Sequence, residues 1–501
     1  MITALEVENF KGFSRRQRVE LAPLTLLFGA NGAGKSAVLH ALRYAAELLL
    51  AKVSPPNALV ASDEGGLGGF PELVYQRDLA RSISIALEVR RDRTRDPSLE
   101  LPPEEPPAAH DGLVSDDHPP PFVGLDDRVE SLAVGLSIRW DGGHRRPQVH
   151  RLTLGFNGAP PCLVVDANPA SSDRVTLALD ARPSVWPAEP PDASTSTGHP
   201  GLVAWLARAG VSRHADGLYR LEGVGVEALG VANQALRRGP ELGLDLRALP
   251  AWVATLLRAS LDTVRSRLRG LVHVRAPRPA PAWRPGGARE NRGTEGRGAW
   301  AALAADPGLL DETNRALERV GSSHRLELVA FRTLPVDQPP PQDGPPDELA
   351  VGLRDLRTDV VMPPSQAGRS LAALIPVLVC LCRKPSCEPG LLLLEEPALH
   401  LAPAQQTLLG DELRRAAEHR QVLVETHSEP LLLRLQRRMR ETDDTTLAPG
   451  VAPGYPEQVK VWHVGADEGG VRIEPLGLDR RGAFVDRKQG SLFGERAEEL
   501  F

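Results

Sequence analysis

An apolar run, Leu24 to Phe28, stops at Gly29, and apolar positions recur at helical spacing from Ala37 to Leu50. Together they predict a buried strand and a helix joined by a short loop. Upstream, Ile2 to Val7 predicts a first strand, followed by the turn Asn9-Phe10-Lys11-Gly12-Phe13. Downstream, alternation at period two runs through Ser82 to Val89, Leu132 to Trp140, Gln148 to Phe156 and Cys162 to Val165. Turn residues separate these runs, which predicts an antiparallel sheet beside the loop. Two proline-rich stretches, Asp96 to Val123 and Pro183 to Pro200, can form neither ladders nor helices and read as surface insertions.

From Gly201 to Leu271 the texture becomes helical, and Trp252, Leu256, Leu257, Leu261, Val264 and Leu268 form a stripe on one helix. Arg278 to Gly298 and Pro335 to Pro346 read as loops. Further on come a helix at Leu371 to Leu381, apolar strands at Gly390 to Leu394 and Gln421 to Val424, and a helix at Leu431 to Arg440. Two short strand-like runs, Val459 to Val464 and Val471 to Pro475, close the pattern. No heptads are sustained, so a long coiled-coil arm is not expected.

Composition narrows the class without naming a chemistry. With 501 residues and 42% hydrophobic content the chain can build two or more cores. No stretch approaches the roughly 20 apolar residues of a membrane span, and Met1-Ile2-Thr3 opens a strand rather than a leader, so a cytoplasmic location is expected. A net charge of −6 gives no overall pull toward nucleic acid. The cations are nearly all arginine, with lysine confined to Lys11, Lys35, Lys52, Lys384, Lys460 and Lys488. Cys380, Cys382 and Cys387 are close in sequence, but Cys162 is remote and no histidine stands at ligand spacing beside them. Buried thiols are the better reading than zinc.

The loop after the first apolar run carries the chemistry. Gly29-Ala30-Asn31-Gly32-Ala33-Gly34-Lys35-Ser36 fills every fixed position of the pattern G-x-x-x-x-G-K-[ST]. Such a loop, between a strand and a helix, lets backbone N–H groups close around a phosphate while the helix dipole meets the anion. Gly29, Asn31, Gly32, Ala33, Gly34, Lys35 and Ser36 are therefore the expected triphosphate-binding residues. Lys35 would neutralise the β- and γ-phosphates, and the Ser36 hydroxyl would ligate Mg²⁺.

A second half of the site is expected near the other end of the chain. Gly390 to Leu394 runs directly into Glu395, Glu396 and Pro397, as a buried parallel strand would that presents acids at its C-terminal end. Glu395 is assigned to the metal and Glu396 to the attacking water. The next apolar strand ends in Glu425-Thr426-His427-Ser428, and His427 is the polar residue expected to reach the γ-phosphate.

These blocks, Gly-x-Asn-Gly-x-Gly-Lys-Ser, Leu-Leu-Glu-Glu-Pro-Ala-Leu-His-Leu and Val-Glu-Thr-His-Ser-Glu, resemble the ABC-type ATPase heads of the SMC, RecF and OLD group. Within that group the chain is most similar to stand-alone bacterial AAA-type ATPases, which share the opening at Asn9 to Phe13 and the block Glu425 to Arg438. The resemblance covers roughly residues 1 to 90 and 350 to 501. It implies an α/β fold: an ABC-type P-loop NTPase head with a parallel core sheet, an antiparallel β subdomain and a helical insertion. The corresponding segments are an N-terminal lobe at 1–92, a β region at 93–200, a helical insertion at 201–271 and a C-terminal lobe at 272–501.

The resemblance also implies ATP and Mg²⁺ as ligands, Gln76 as the Q-loop glutamine at the metal, Glu396 as catalytic carboxylate and His427 as switch histidine. The signature loop would be Pro364 to Ser370, with Ser365 contacting the γ-phosphate of a second copy and Ser370 as the alternative. That stretch lacks the paired glycines of Leu-Ser-Gly-Gly. Glu395 replaces the usual Asp, and Ala402 stands where relatives often have a second histidine.

The function implied is an ATPase that dimerises around nucleotide and gates a separate effector protein or a DNA-related process, such as phage defence or DNA repair. The competing expectation is an OLD-like, nuclease-associated ATPase acting directly on DNA, but the stretch after His427 shows no compact acidic metal cluster. A transporter subunit is disfavoured, because its motifs lie closer together and its signature loop is intact. The helix Leu431 to Arg440 reads as core-facing with a solvated basic face in preference to a DNA-contacting stripe.

Overall fold

The computed structural model describes residues 1–50, 67–100, 124–143, 145–167, 174–180, 213, 218–225, 251–276, 278, 297–331, 348–384, 390–467 and 469–485. In chain order the strands are β1 (Ile2–Glu8), β2 (Gln17–Glu20), β3 (Leu24–Phe28), β4 (Ile83–Arg90), β5 (Ser131–Asp141), β6 (Arg146–Phe156), β7 (Leu163–Ala167), β8 (Arg174–Leu179), β9 (Tyr219–Gly225), β10 (Val272–Val274), β11 (His324–Phe331), β12 (Glu348–Asp355), β13 (Val360–Met362), β14 (Leu391–Glu395), β15 (Gln421–Thr426), β16 (Val459–Asp467) and β17 (Gly470–Leu476). The longer helices are α1 (Lys35–Leu50), α2 (Ala251–Leu268), α3 (Arg297–Ala305), α4 (Pro307–Arg319), α5 (Arg369–Cys382), α6 (Pro403–Ala416) and α7 (Glu429–Asp443). The chain divides into two compact units, Met1–Glu20 with His40–Arg269 and Glu468–Val471, and Leu21–Leu39 with Gly270–Asp467 and Arg472–Phe501.

The first unit is built on an eight-stranded sheet in the order β2-β1-β4-β5-β6-β7-β8-β9. Each of its strand pairings is antiparallel, in keeping with the period-two alternation. On β4 the residues Ile83, Ile85, Leu87 and Val89 are buried and alternate with half-buried ones. The turn after β1 closes on itself through a bridge between Phe10 and Phe13, both fully buried, and Phe10 stacks on Tyr44 at 6.0 Å. Helix α2 packs on β4 and β5, and the expected stripe residues Leu256, Leu257, Leu261, Val264 and Leu268 are buried. A buried ion pair, Arg267 to Asp96 at 2.6 Å, ties this helix to the segment after β4.

Within the segment 201–271, expected to be helical in texture, the described residues hold a strand as well as helix α2. Tyr219–Gly225 forms β9, which adds to β8 as the last strand of the sheet. Pairing with a ready sheet edge outweighs local propensity there. Most of the proline-rich stretches, the loops at 279–296 and 335–346, and Cys387 lie outside the described residues.

The second unit holds a six-stranded sheet in the order β10-β14-β15-β3-β16-β17. From β10 to β16 the pairings are parallel. Every residue of β3, β14 and β15 is buried, as near-continuous apolar strands covered on both faces must be. Leu24 and Leu26, Leu392 and Leu394, Val422 and Val424, and Val459 and Val461 share one core with Leu374 and Ile375 of α5, Leu409 and Leu413 of α6, and Leu431 and Leu435 of α7. A three-stranded antiparallel sheet, β11-β12-β13, and helices α3 and α4, none of them marked by the sequence pattern, complete this unit. The runs at 459–464 and 471–475 are β16 and β17 of this six-stranded sheet, and β16 pairs in parallel with β3.

Candidate functional site

Strand β3 lies between β15 and β16 at the centre of the parallel sheet and delivers its C-terminal end to the phosphate loop. Gly29 must be glycine because a Cβ there would stand 2.2 Å from the Val464 carbonyl oxygen on β16. Gly34 has φ 99°, a left-handed conformation that an L side chain resists. The tip of the loop, Asn31 and Gly32, is exposed, while Ala33 and Lys35 are buried. Helix α1 starts at Lys35 with no acidic residue in its first turn, so no side-chain charge there opposes an anion at the positive end of the helix dipole.

Lys35 Nζ donates to the carbonyls of Gly29 at 2.9 Å and Ala30 at 3.0 Å, and lies 3.5 Å from Glu396 Oε1. Glu396 follows β14 with φ 40°, and its N–H donates to the Glu425 carbonyl at 2.9 Å. That bond pins the acid at the C-terminal end of the parallel strands. Its other oxygen, Oε2, is 2.8 Å from Nδ1 of His427. His427 is fixed from behind, because Ser428 caps α7 by accepting from the Leu431 N–H and donates to Gln406 Oε1 on α6 at 2.6 Å. Lys35, Glu396 and His427, expected from three separate motifs, thus stand in one chain of contacts within the second unit.

Glu395 is held on the other side by strand β10 and the residues after it. His273 Nε2 is 2.9 Å from Oε1, and the Ala276 N–H donates to Oε2 at 3.3 Å. The buried Arg278 guanidinium donates to the backbone carbonyls of Glu395 and Glu396. Burial lowers its pKa to about 10, against the pull of Glu395.

Ser36 Oγ donates to Glu425 Oε1 at 2.9 Å. Burial, reinforced by Glu395 and Glu396 and opposed by the Ser36 bond and Lys35, pushes the Glu425 carboxyl up to about 7. Glu425, His273 and Arg278 were not singled out from the sequence. Glu425 carried a legible signal: like Glu395, it is an acid at the end of an apolar parallel strand, and the register pairs the two.

Gln76 lies in the first unit, exposed, with φ 54° in a single turn. Ser365 is exposed in the turn Pro364–Gln366, just ahead of α5, whose first residues have no side-chain cap; Ser370 lies inside the first turn of that helix. Cys380 and Cys382 are half-buried rather than fully buried, and desolvation pushes their thiols up to about 11 and about 12. Among the described residues no cysteine joins a cluster with metal-ligand geometry. On α7, Arg434 and Arg438 each pair with Asp411 of α6 at 2.7 Å, and Arg437 pairs with Glu441. The basic face of this helix is thus largely neutralised from within the unit. No helix among the described residues is long and apolar enough to cross a membrane.

Two family models match the chain. Residues 4–55 match one described as "AAA domain", and residues 344–434 match one described as "AAA domain, putative AbiEii toxin, Type IV TA system". No curated protein matches the chain in sequence. Among solved structures, the chain is similar to the SMC head domain of Thermotoga maritima, with 11% identity and a TM-score of 0.37 over 95% of this chain and 99% of that one. It is also similar to an Smc head with an extended coiled coil from Pyrococcus furiosus, bound to the C-terminal domain of ScpA, with 12% identity and a TM-score of 0.38 over 99% of each chain. The phosphate loop between β3 and α1 and the parallel strand order around it give the chain a P-loop NTPase fold, and its segments 4–55 and 344–434 resemble AAA domains.

Proposed function

We propose that the chain binds ATP with Mg²⁺ at the loop Gly29 to Ser36 and hydrolyses it, and that two copies associate around the bound nucleotide. The observation that carries this reading is the contact of Glu396 with both Lys35 and His427. Lys35 already faces inward, so its ammonium would exchange two loop carbonyls for phosphate oxygens in a charge-assisted bond. The donor set fits the metal: a serine hydroxyl and carboxylates are the hard oxygen ligands Mg²⁺ takes, and the ion would neutralise charge on the phosphates. Glu396, held by its backbone and flanked by two nitrogen donors, is placed to orient and deprotonate the attacking water. His427 would hold that carboxylate and meet the terminal phosphate.

Ser365 would complete the site of a second copy from its exposed turn, and release after hydrolysis would gate a separate effector or a DNA-related process such as phage defence or repair. Bonds to the γ-phosphate that vanish on hydrolysis supply the switch. Phosphate release by the purified chain tests the first half: activity that needs Mg²⁺ and is lost in Lys35→Ala and Glu396→Gln is expected, and turnover unchanged in both would end the reading. Sizing Glu396→Gln with and without ATP tests the second half. A dimer only with ATP supports it, and a monomer in both conditions counts against it.

A further inference from the structure

Three carboxylates end the adjacent strands β14 and β15, and they are not equivalent. Glu396 is met by Lys35 and His427, and Glu395 by His273 and the Ala276 N–H, with Arg275 at 4.0 Å. Glu425 has one neutral partner, the Ser36 hydroxyl on its Oε1. Its residue is 7% exposed, and its Oε2 is buried without a hydrogen-bond partner among the described residues. A buried carboxylate oxygen left without a hydrogen-bond donor is costly, and it marks a place where a cation belongs.

We propose that Glu425 supplies a carboxylate to the divalent cation held by Ser36, so that the metal site rests on the end of β15 as well as on Glu395 at the end of β14. The inference rests on the reading of the loop as a site for ATP and Mg²⁺. Ser36 and Glu425 stand 389 positions apart in the chain, yet the parallel pairing of β15 with β3 brings them to one hydrogen bond. A serine that donates its proton to Glu425 turns its lone pairs elsewhere, which is the arrangement a hydroxyl needs to ligate a cation. Glu425 thereby orients the serine and adds negative charge where the cation sits. Its backbone carbonyl also accepts from the Glu396 N–H, so the metal carboxylate and the water-activating carboxylate are set by the same strand end.

The test uses the full chain and Mn²⁺, whose binding is read directly by electron paramagnetic resonance in the presence of a non-hydrolysable ATP analogue. Glu425→Gln keeps an amide oxygen for Ser36 and removes the charge. It is expected to weaken Mn²⁺ by roughly tenfold to a hundredfold, the range for altered metal surroundings. Binding of a fluorescent ATP analogue in EDTA should stay unchanged, and the metal-free melting temperature should stay the same or rise, an outcome a purely structural role would not give. Glu425→Asp keeps the charge but withdraws it by one methylene, and it should weaken Mn²⁺ less. Mn²⁺ affinity equal to wild type in Glu425→Gln, with nucleotide still bound, overturns the inference alone. A wild-type chain that binds no nucleotide in EDTA or in Mg²⁺ overturns the reading of the loop and this inference with it.

Discussion

His427 Nδ1 and Glu396 Oε2 stand 2.8 Å apart, the first residue after β15 against the first residue after β14. Parallel register makes this pairing: Glu395 lies opposite Glu425, so the two strands end level and the residues beyond them meet. In the proposed reaction the carboxylate would act on water while the imidazole holds the carboxylate. Glu396→Gln is expected to lower turnover by roughly 10² to 10⁴-fold, the usual contribution of a positioned acid or base. His427→Ala should lower it by a smaller factor. Phosphate release under saturating ATP measures both, and a His427→Ala defect larger than that of Glu396→Gln would reverse the assignment.

Lys35 is buried among two carbonyls and one carboxylate, and its removal acts on binding first. A charged hydrogen bond is worth about 1.5–3 kcal/mol, so Lys35→Ala should weaken a fluorescent ATP analogue by roughly tenfold to a hundredfold. Equilibrium titration reads this, and wild-type affinity in the variant would remove Lys35 from the phosphate site.

Gly29→Ala tests the contact between the loop and β16. The added methyl would meet backbone, the Val464 carbonyl, which cannot swing away as a side chain would. Overpacking of this kind costs about 1–3 kcal/mol, read as a lower urea midpoint. An unchanged midpoint would mean that β16 can shift.

Acid should destabilise the first unit through His150 on β6. Burial, aided by the charges of Arg139 and Arg151, lowers its pKa to about 4. In an unfolded chain the value is about 6.5, so between these limits the unfolded state binds a proton that the folded state refuses. This contribution to stability is present above the unfolded pKa and is lost as pH falls toward 4. Urea midpoints from pH 7 to 4 should fall less steeply in His150→Gln than in wild type, and parallel curves would assign the acid sensitivity elsewhere.

Local patterns in the sequence determined the phosphate loop, the strands β3, β14 and β15, and the alternation that makes the antiparallel sheet. In each case the signal and its physical cause lie within a few residues: glycines where backbone must close on an anion, unbroken apolar runs where both faces of a strand are covered, period two where one face is. The same reasoning did not mark β9, whose sequence pairs because β8 offers an edge, nor β11, β12, α3 and α4.

Only the tertiary structure decided which side chains meet. The strand order β14-β15-β3 sets residues from the two ends of the chain side by side, so Ser36 finds Glu425, Lys35 finds Glu396, and Arg278 closes on the carbonyls behind the acids. Sequence spacing carries no record of such contacts, because parallel strands are joined by long crossovers and their neighbours are chosen by packing. The three acids at 395, 396 and 425 are chemically alike in the sequence, and what separates their roles is the partner that each one has in the fold.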